Sequence, residues 1–523
     1  MRMRRTFLVL GMLALAFAVV GLMSVAEEET LKFGSDASSL GTLDPLYAVG
    51  HQNKPVVDAM FDGLVTLDWS DPNYESLLPE LATSWDVSED GLQITFTLRE
   101  GVFFHGGYGE FTADDAVFSL QKLVNTDESA MAGYLASIDS IQAIDSHTVM
   151  VSLANPDPIL LMNLAKYAQM LSKAAYEDIP QEEHSTRPIG TGPYILDELR
   201  PTESVVLVAN ADYWDDKPYF DRIEYLLLPD STTRELAFLN GDLDCIRGVN
   251  DSLWIERMQE QSGVIVDIYP PTTYFPLIFN LTIEPFDDIR VRKAIAYAVD
   301  SQAVADYTGA HASVNKMPVP EIVGAATPEQ VPPPPYYYEY DLDEARSLLA
   351  EAGYPNGFEF TTITSDRALY YDRMVMVQDM LKQVGITMNL EVIAHSIFVS
   401  TLREGETPFS IMGSNRFTAK ELLNDFYHSA SIPGSPTARF NFGFYSNPAV
   451  DALLDAADKL GTIEEAAPLW HAAERLIMDD LPQYPFFQAA SAIVARHSYL
   501  TYPEMTFSLN TSYRFDLMGK EED

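Results

Sequence analysis

The sequence predicts an α/β protein with more than one domain. Strand-like and helix-like segments alternate along part of the chain: residues 223–228 are predicted as a strand, residues 231–240 as a helix that ends at Gly241, and residues 243–246 as a short buried strand. This alternation is typical of an α/β fold. The chain has 523 residues, which is enough for roughly two to four domains of the usual size.

The first 26 residues have the pattern of a signal peptide. Arg2, Arg4 and Arg5 precede an apolar run at residues 7–23, and Ser24-Val25-Ala26 has the small side chains of a cleavage site. A single membrane anchor is the alternative, but the run is short for a membrane span and its flanks favour cleavage. We therefore expect export, cleavage after Ala26, and a periplasmic or extracellular protein.

The mature chain is strongly acidic. The net charge is −44, and removal of the three arginines of the leader changes it to −47. Such a charge repels phosphate backbones and anionic lipids, which excludes nucleic-acid binding as a function. The acids are dispersed along the chain without an acidic tail, as expected for a solvated surface.

Cys245 is the only cysteine, so the sequence allows neither an intramolecular disulfide nor a cysteine-based metal cluster. A lone thiol of this kind is usually a small buried apolar residue. Lipoprotein signals place a cysteine directly after the apolar run, and residues 24–29 contain none. We therefore expect a soluble mature protein without a lipid anchor.

Two local signals mark residues 60–185. Asp90-Gly91 is a tight-turn dipeptide, and the alternation of apolar and polar residues after it predicts a strand with one buried face. Thr112 and Asp115 have the spacing of a capping box, which predicts a helix that continues through Val124. These residues are expected to form a compact α+β module.

Other elements follow from periodicity and from capping residues. Strands are predicted at residues 31–35, 149–153, 194–196, 205–208, 358–363, 386–393, 408–413 and 483–490. Helices are predicted at residues 56–61, 374–384 and 448–460, and after the capping residues Asp288 and Asp341. Two proline-rich stretches do not fit a regular helix or strand pattern. Residues 269–276 are predicted to cross between domains, and residues 331–340 to be a polyproline spacer, with a partner-docking motif as the alternative.

Residues 187–221 contain a rigid turn, a strand and an aromatic, acidic loop in that order. Gly190-Thr191-Gly192-Pro193 predicts a tight bend, because glycine accepts positive φ and proline fixes φ. No acid, base or nucleophile is placed here for chemistry. We therefore interpret the segment as a structural joint.

The sequence carries no common catalytic motif. It lacks the G-x-S-x-G, H-E-x-x-H and G-x-x-x-x-G-K patterns, and Ile195 occupies the third glycine position of a G-x-G-x-x-G that begins at Gly190. His471 and Glu474 share one helix face, but no third ligand is near them in sequence, which favours a surface or packing role. We expect no catalysis, cofactor or metal.

Several sequence blocks together resemble the family 5 extracytoplasmic solute-binding proteins, the peptide, nickel and oligosaccharide receptors of ABC importers. The blocks span nearly all of the mature chain in order: DGLV (62–65), LLPELATSW (77–85), FTADDAVF (111–118), PIGTGPY (188–194), NADYWDDKP (210–218), PFDDIRVRKAIAYAV (285–299), DEARSLLAEAGYPNGF (343–358) and YSNPAVDALL (445–454). Each block alone is a weak signal, but their shared order makes accidental agreement improbable.

The resemblance implies a bilobal, hinge-connected periplasmic-binding-protein fold with an additional module. We define the parts as follows: lobe I comprises residues 27–60, 185–273 and 487–523, the module comprises residues 60–185, and lobe II comprises residues 276–485. Two chain crossings, near residues 272–280 and 483–488, are expected to form the hinge. Ligand is expected to bind between the lobes, and closure then signals occupancy to the permease.

The resemblance further implies an oligopeptide ligand, with an oligosaccharide as the alternative and a nickel or metal chelate third. The implied partners are the ABC permease and, through it, the ATPase, with a monomeric receptor. Peptide-binding relatives place an acid after the strand that is residues 409–413 here, where it pairs with the ligand's ammonium. This sequence instead has Arg416 and Lys420 in that loop and no acid before Glu421. Arg416 is expected either to hold a carboxylate or sugar hydroxyls, or to be a solvated loop residue.

The resemblance implies ligand contacts in the loops at the cleft, and nearby aromatic side chains are further candidates. The candidates are Tyr47, His51, Tyr274, Asn280, Arg367, Tyr370, Gly413, Ser414, Asn415, Arg416 and Phe417. Two functions of other classes stay open. A secreted glycoside hydrolase predicts a carboxylate pair in the cleft, and a chaperone predicts an open apolar groove instead of an enclosed cavity.

Overall fold

The computed structural model describes most of the chain from residue 28 onward. The described ranges are residues 28–48, 52–68, 70–71, 76–125, 129, 131–269, 271–309, 312–320, 338–414, 416, 418–435, 438–490, 493–502 and 513–521. The predicted signal peptide, residues 331–337 of the predicted spacer, and the candidates His51, Asn415 and Phe417 lie outside these ranges.

Strands and helices alternate along the chain. The strands are β1 (Thr30–Ser35), β2 (Val65–Leu67), β3 (Leu77–Pro79), β4 (Ala82–Val87), β5 (Gln93–Leu98), β6 (Ile138–Asp145), β7 (Thr148–Leu153), β8 (Tyr194–Arg200), β9 (Ser204–Ala209), β10 (Arg222–Leu227), β11 (Cys245–Arg247), β12 (Val264–Ile268), β13 (Pro271–Phe279), β14 (Ala312–Val314), β15 (Glu359–Ser365), β16 (Thr387–Ile393), β17 (Phe409–Ile411), β18 (Gln483–Ala490), β19 (Ile493–His497), β20 (Leu500–Thr501) and β21 (Gly519–Lys520). The helices are α1 (Lys54–Met60), α2 (Ala113–Val124), α3 (Leu160–Tyr167), α4 (Lys173–Asp178), α5 (Ser231–Leu239), α6 (Ser252–Gln259), α7 (Ile289–Ala298), α8 (Ser301–Thr308), α9 (Leu342–Glu351), α10 (Ala368–Lys382), α11 (His395–Arg403), α12 (Ala419–Tyr427), α13 (Pro448–Ala457) and α14 (Ile463–Asp480).

Lobe I is built on a mixed sheet of seven strands in the order β12-β19-β11-β1-β10-β9-β8. β1 pairs in parallel with both β10 and β11, and the other neighbours pair antiparallel. Leu31 and Phe33 of β1 are fully buried, as expected for a strand in the middle of a covered sheet. Cys245 lies in this sheet and is buried, as the sequence predicts for a lone thiol.

The module has its own antiparallel sheet, in the order β4-β5-β7-β6. Ile94, Phe96 and Leu98 of β5 point into its core, which confirms the predicted alternation after the Asp90-Gly91 turn. The predicted capping box at the start of α2 is also confirmed: the Thr112 N–H donates to Asp115 Oδ2 at 3.1 Å. The apolar core of the module continues into that of lobe I, so the two pack as one unit.

Lobe II contains a four-stranded sheet, β14-β18-β13-β17, and a parallel pair, β15 and β16. Its apolar core is separate from the core of lobe I. His471 and Glu474 of α14 are buried inside lobe II, which corresponds to the packing role among the two roles considered. Within the described ranges, no helix has both the length and the apolar composition that a bilayer crossing requires.

The chain passes twice between the two large sheets. The first crossing joins β12, which ends at Ile268, to β13, which starts at Pro271, and the second joins β18 to β19. Both crossings lie a few residues from the positions inferred from the family resemblance. Residues 271–276 of the predicted crossing belong to strand β13, because Pro271 and Pro276 are accommodated by irregular pairing with β18, between Pro271 and Thr273 and between Phe275 and Leu277.

The bend at residues 190–193 packs on the end of α1. A Cβ added at Gly190 would lie 2.0 Å from the Met60 carbonyl oxygen, and the Gly192 N–H donates to that same oxygen at 3.0 Å. The Gly192 carbonyl in turn accepts hydrogen bonds from His105 Nε2 at 2.9 Å and from the Asn210 amide at 3.1 Å. The bend thus ties the module to lobe I, and β8 pairs with β9 after it.

Candidate functional site

The end of β17 lies beside β13, close to the first crossing between the lobes. Ser414 and Tyr274 form an antiparallel bridge in which each N–H donates to the other's carbonyl oxygen, at 2.8 and 2.9 Å. Gly413 is packed so closely that an added Cβ would lie 2.7 Å from the Phe275 ring and 2.9 Å from the Tyr370 hydroxyl. The loop that starts at Gly413 therefore begins at the base of the space between the lobes.

Arg367 is the N-cap residue of α10, and Tyr370 lies in the first turn of that helix. The Tyr370 hydroxyl accepts a hydrogen bond from the Gly413 N–H at 3.2 Å. The Tyr370 ring packs edge-on against Phe275, with ring centroids 5.9 Å apart. Arg367 is exposed, whereas Tyr370 is buried. Tyr370 thus fixes the start of α10 against the end of β17 and leaves Arg367 open to solvent.

Three strand ends meet at this position. β15 ends at Ser365, two residues before Arg367, β16 ends at Ile393, two residues before His395, and β17 ends at Ile411, two residues before Gly413. Ser365 Oγ lies 2.9 Å from His395 Nδ1, and the His395 N–H donates to Asp366 at 2.9 Å. Burial lowers the pKa of His395, and the positive charge of Arg367 lowers it further. A helix N-terminus with an exposed guanidinium at the carboxyl ends of parallel strands is suited to binding an anion.

Arg416 is held in place by its own lobe. Its Nε donates to Asp425 Oδ2 at 2.6 Å, and the two side chains expose only 13% and 12% of their surface. The guanidinium carbon lies 4.9 Å from the centre of the Phe440 ring in lobe II and 5.7 Å from that of Tyr134 in the module. Arg416 is therefore not the solvated loop residue considered as one alternative, and it reaches across the space between the lobes.

The module presents an aromatic wall opposite Arg416. The rings of Tyr134 and Tyr167 are stacked, with centroids 4.2 Å apart and planes 16° apart. The Asn163 amide donates to the Tyr134 carbonyl at 2.8 Å and fixes this turn. Lys166 lies over the Tyr167 ring at 4.4 Å. Burial lowers the pKa of Lys166 to about 7, against the raising effect of the nearby Glu421 carboxylate of lobe II.

An ion pair joins lobe II to the module at one edge of this space. Lys420 Nζ in the first turn of α12 donates to Asp157 Oδ1 at 2.8 Å, and the side chains expose 14% and 6% of their surface. The other Asp157 oxygen accepts a hydrogen bond from Ser137 at 2.7 Å, and Lys420 also lies 3.5 Å from Asp458 in lobe II. The two lobes are thus in direct contact through a largely buried pair.

A glycine of the module packs directly on an arginine of lobe II. A Cβ added at Gly133 would lie 1.7 Å from one terminal nitrogen of Arg439 and 2.3 Å from the guanidinium carbon. On another part of the boundary, a Cβ added at Gly309 of lobe II would lie 2.9 Å from Ser252 Oγ of lobe I. The lobes therefore touch at more than one place.

Two other sequence candidates occupy different surroundings. Asn280 is buried in lobe II, where its amide nitrogen donates to the carbonyls of Gly405 and Thr407 and its oxygen accepts from Thr282. Tyr47 is exposed, 44% of its surface being accessible, in the loop after β1. The structure thus brings Tyr274, Tyr370, Gly413 and Ser414 together next to Arg367, whereas Asn280 is bonded within lobe II.

Sequence reasoning missed the module side of the site, namely Tyr134, Asp157 and Tyr167. It also noted Lys420 only as a loop cation. One sequence signal for Lys420 exists: a lysine in the first turn of a helix opposes the helix dipole, which favours acids at that end. The module residues carry no comparable local signal.

A second group of charges lies between α1, α3 and the C-terminal residues of lobe I. It lines a cavity of about 50 Å³ that includes Asp62, Glu80, Arg514 and Asp516. Asp62 accepts hydrogen bonds from Trp214 Nε1 at 2.9 Å and from Thr191 at 2.8 Å. Burial raises the pKa of Glu80 to about 8, and the neighbouring Asp62 carboxylate adds to this effect.

Comparison with known proteins agrees with this architecture. Residues 76–433 match the family described as bacterial extracellular solute-binding proteins, family 5 middle. Heme-binding protein A of Haemophilus influenzae is 29% identical over 484 residues, which is 84% of each chain. Glutathione-binding protein GsiB of Escherichia coli is 29% identical over 510 residues and covers 93% of this chain and 94% of that protein.

Solved structures of similar proteins have the same fold. MoaA of A. tumefaciens R10, in complex with mannopinic acid, has a TM-score of 0.84 and 31% identity over 95% of this chain and 100% of that chain. DppA of Helicobacter pylori, in complex with the peptide STSA, has a TM-score of 0.79 and 26% identity over 95% and 99%. The bilobal α/β fold expected from the sequence is thereby confirmed. Because the family match spans residues 76–433 and the relatives cover nearly the whole chain, the protein belongs to the family 5 bacterial extracellular solute-binding proteins.

Proposed function

We propose that this chain is the receptor of an ABC importer and that it captures an oligopeptide, or a peptide-like solute with a free carboxylate, between lobe I and lobe II. The family consists of extracellular solute-binding proteins. The chain is exported by the cleaved signal peptide at residues 1–26, acts as a monomer without a catalytic step, and delivers its ligand to the permease, which works with the ATPase.

One observation carries the choice of a carboxylate ligand. Arg367 is exposed at the N-terminus of α10, a helix of 15 residues, where β15 and β17 end beside the crossing between the lobes. A guanidinium binds a carboxylate through two parallel hydrogen bonds, and the positive end of the helix dipole favours the same charge. In a chain of net charge −44, an exposed cation at this position provides a local attraction for an anionic ligand.

The residues of the loop after β17 favour a ligand that is anchored mainly through its carboxylate and not through its ammonium group. Arg416 already has a carboxylate partner, Asp425, in its own lobe. The first acid of this region, Glu421, accepts hydrogen bonds from the Thr418 backbone and hydroxyl with one of its oxygens. An ammonium anchor of the kind implied for peptide-binding relatives therefore has less support here than the carboxylate anchor at Arg367.

Several ligands named for the relatives support the same class, whereas the Haemophilus influenzae relative is named for heme, which is not a peptide. The supporting ligands include glutathione and the peptide STSA, and MoaA was solved with an acid, mannopinic acid. An oligosaccharide stays the alternative, since the stacked rings of Tyr134 and Tyr167 offer a face on which either a sugar or an apolar peptide side chain can pack. A metal chelate remains third, and among the described residues no three His, Cys, Asp or Glu side chains are grouped to hold a metal ion.

The hydrolase alternative has a carboxylate pair to consider, Asp62 and Glu80. The cavity beside them has a volume of about 50 Å³, enough for water but far too small for a sugar residue. The pair also lies among residues of lobe I and the module, and Asp62 is occupied by Thr191 and Trp214. We therefore interpret Asp62 and Glu80 as a structural pair and not as the catalytic pair of a hydrolase.

The test is a binding experiment with matched ligands. Native mass spectrometry of protein purified without denaturation would identify the co-purified solute, and isothermal titration would then compare short peptides that end in a free carboxylate with the same peptides as C-terminal amides. We expect the free acids to bind at least about tenfold more tightly, because one charge-assisted contact contributes about 1.5–3 kcal/mol. Equal affinity for acids and amides would contradict a carboxylate anchor, and binding of oligosaccharides alone would establish the alternative.

A further inference from the structure

The contacts between the module and lobe II include charged and aromatic side chains that pair with each other. The Lys420–Asp157 pair is largely buried, and Arg416 lies between Phe440 of lobe II and Tyr134 of the module. A third contact places Gly133 of the module under the guanidinium of Arg439. These contacts join lobe II residues of α12 and of the loops beside it to the module loops that flank β6, β7 and α3.

We infer that these three contacts form a latch that holds the lobes closed, with Lys420 and Asp157 as the positioning residues that set how tightly a captured solute is retained. The inference rests on the receptor function proposed above, because retention has meaning only for a protein that captures a solute. The latch itself is a property of the chain without ligand.

The placement of Lys420 supports this role. In the first turn of α12 the lysine opposes the helix dipole, so its position is unfavourable within lobe II alone. Asp458 of lobe II lies 3.5 Å away, but the shorter contact, 2.8 Å, is with Asp157 of the module. Within the module, the Ser137 hydroxyl and the Ile159 N–H both donate to Asp157. These hydrogen bonds orient the carboxylate for contact with Lys420 when the lobes close.

The packing around Gly133 independently supports a contact between lobe II and the module. Its backbone has no positive φ, so the conformation itself does not require glycine. The space where a side chain would stand is instead filled by the guanidinium of Arg439. Residue 133 therefore has to be a glycine only because lobe II contacts the module.

A latch of this kind changes ligand retention more than ligand encounter. The open state must admit the solute, and contacts made only in the closed state slow its escape without altering the open site. The apparent dissociation constant also depends on how much of the protein is closure-competent, so loss of the latch weakens binding without removing any ligand contact.

The test measures closure without ligand. Dyes attached at Ala143→Cys in the module and Ala452→Cys in lobe II, both exposed positions, would report the lobe separation by single-molecule energy transfer, with the buried Cys245 protected from labelling. We expect Lys420→Met and Asp157→Asn each to raise the ratio of open to closed molecules at least about fivefold, and the double variant to raise it no further than the single ones, since both remove one interaction. Lys459→Met, an exposed lysine of lobe II, is the matched control and should leave the ratio unchanged.

A second variant covers the case in which removal of a buried charge impairs folding. Gly133→Leu keeps every charge but places a side chain against Arg439, and it should open the lobes in the same assay; Arg439→Ala should then restore closure in part, because it removes the clash and leaves the Lys420–Asp157 pair in place. With a bound solute, the latch variants should raise the dissociation rate at least about fivefold and leave the association rate within about twofold. An unchanged open-to-closed ratio in the Lys420→Met, Asp157→Asn and Gly133→Leu variants would overturn the latch, whatever ligand the receptor proves to bind. A failure to bind any solute, with closure responding as expected, would instead overturn the receptor function alone.

Discussion

The Gly413 N–H donates a hydrogen bond to the Tyr370 hydroxyl at 3.2 Å. This contact joins the end of β17 to the first turn of α10 and so fixes the position of Arg367 relative to the loop that begins at Gly413. The Tyr370 ring also packs against Phe275 and Phe398. Tyr370 therefore acts on the proposed carboxylate anchor through position, without a required contact to the ligand.

Tyr370→Phe should weaken binding modestly. The ring contacts stay, but the Gly413 N–H loses its acceptor, which costs about 1 kcal/mol and loosens the start of α10. We expect the dissociation constant of a free-acid peptide to rise about three- to tenfold in isothermal titration, with little change in melting temperature. Tyr371→Phe, at the exposed neighbouring position, is the control. Unchanged affinity in Tyr370→Phe would show that this hydrogen bond does not position Arg367.

Arg416→Ala should reduce stability strongly. Asp425 would be left largely buried without its 2.6 Å partner, and removal of one member of a buried pair costs about 3 kcal/mol or more. Burial already raises the pKa of Asp425 against the effects of Arg416 and Arg439. Urea denaturation would measure the loss. Addition of Asp425→Asn should restore part of it, whereas Arg346→Ala, which removes an exposed pair with Asp343, should cost less than about 0.5 kcal/mol. If the Arg416→Ala variant were as stable as the wild type, the pair with Asp425 would not contribute to stability and Arg416 would behave as a solvated loop residue.

Gly190→Ala should disrupt the joint between the module and lobe I. The new Cβ would lie 2.0 Å from the Met60 carbonyl oxygen, a backbone atom that cannot move aside cheaply. We expect a loss of at least about 2 kcal/mol in the free energy of unfolding, within the range for overpacking. Gly41→Ala is a matched control, because nothing lies within 4 Å of a Cβ at that glycine. Equal stability of the two variants would mean that the close approach at Gly190 is not a constraint.

Glu80 should make stability depend on pH. Its folded-state pKa is raised to about 8, mainly by burial and further by Asp62, from an ordinary value near 4.5. Between these values the folded protein holds a proton that the unfolded chain has released, so the contribution of this group to stability falls as pH rises from about 4.5 to 8. Glu80→Gln resembles the protonated form and should remove this component, which urea denaturation at pH 5 and pH 8 would show. If the pH dependence of Glu80→Gln matched that of wild type and of Glu100→Gln, an exposed control, the raised pKa would be wrong.

Local signals in the sequence predicted the elements that depend on neighbouring residues. The capping box at Thr112 and Asp115 and the Asp90-Gly91 turn depend on contacts within a few residues, and both appear in the structure. The bend at residues 190–193 also appears, but the predicted reason is wrong: Gly190 and Gly192 do not have positive φ, and glycine is required there because the Met60 backbone packs against them. The sequence predicts residues 269–276 as a crossing, whereas residues 271–276 belong to β13, because Pro271 and Pro276 are accommodated by irregular pairing with β18, which is more than 200 residues away in the chain. No pattern within residues 269–276 reveals that partner.

The candidate site was predictable only in part for the same reason. Arg367, Tyr370, Gly413 and Ser414 follow strands whose ends meet at one edge, so their grouping could be anticipated from strand order and family resemblance. The Lys420–Asp157 pair joins residues separated by 263 positions, and its formation depends on how the lobes pack. The role of Arg416 also depends on Asp425 and Phe440, which become its neighbours only in the folded lobe.

The most direct measurement of the central claim is a cycle of isothermal titrations with Arg367→Ala and a peptide ligand offered as the free acid and as the amide. If Arg367 anchors the ligand's carboxylate, the variant should bind the free acid at least about tenfold more weakly than the wild type does and bind the amide with nearly unchanged affinity. Arg346→Ala should bind both forms as the wild type does. Equal losses for acid and amide, or no loss for either, would contradict the account.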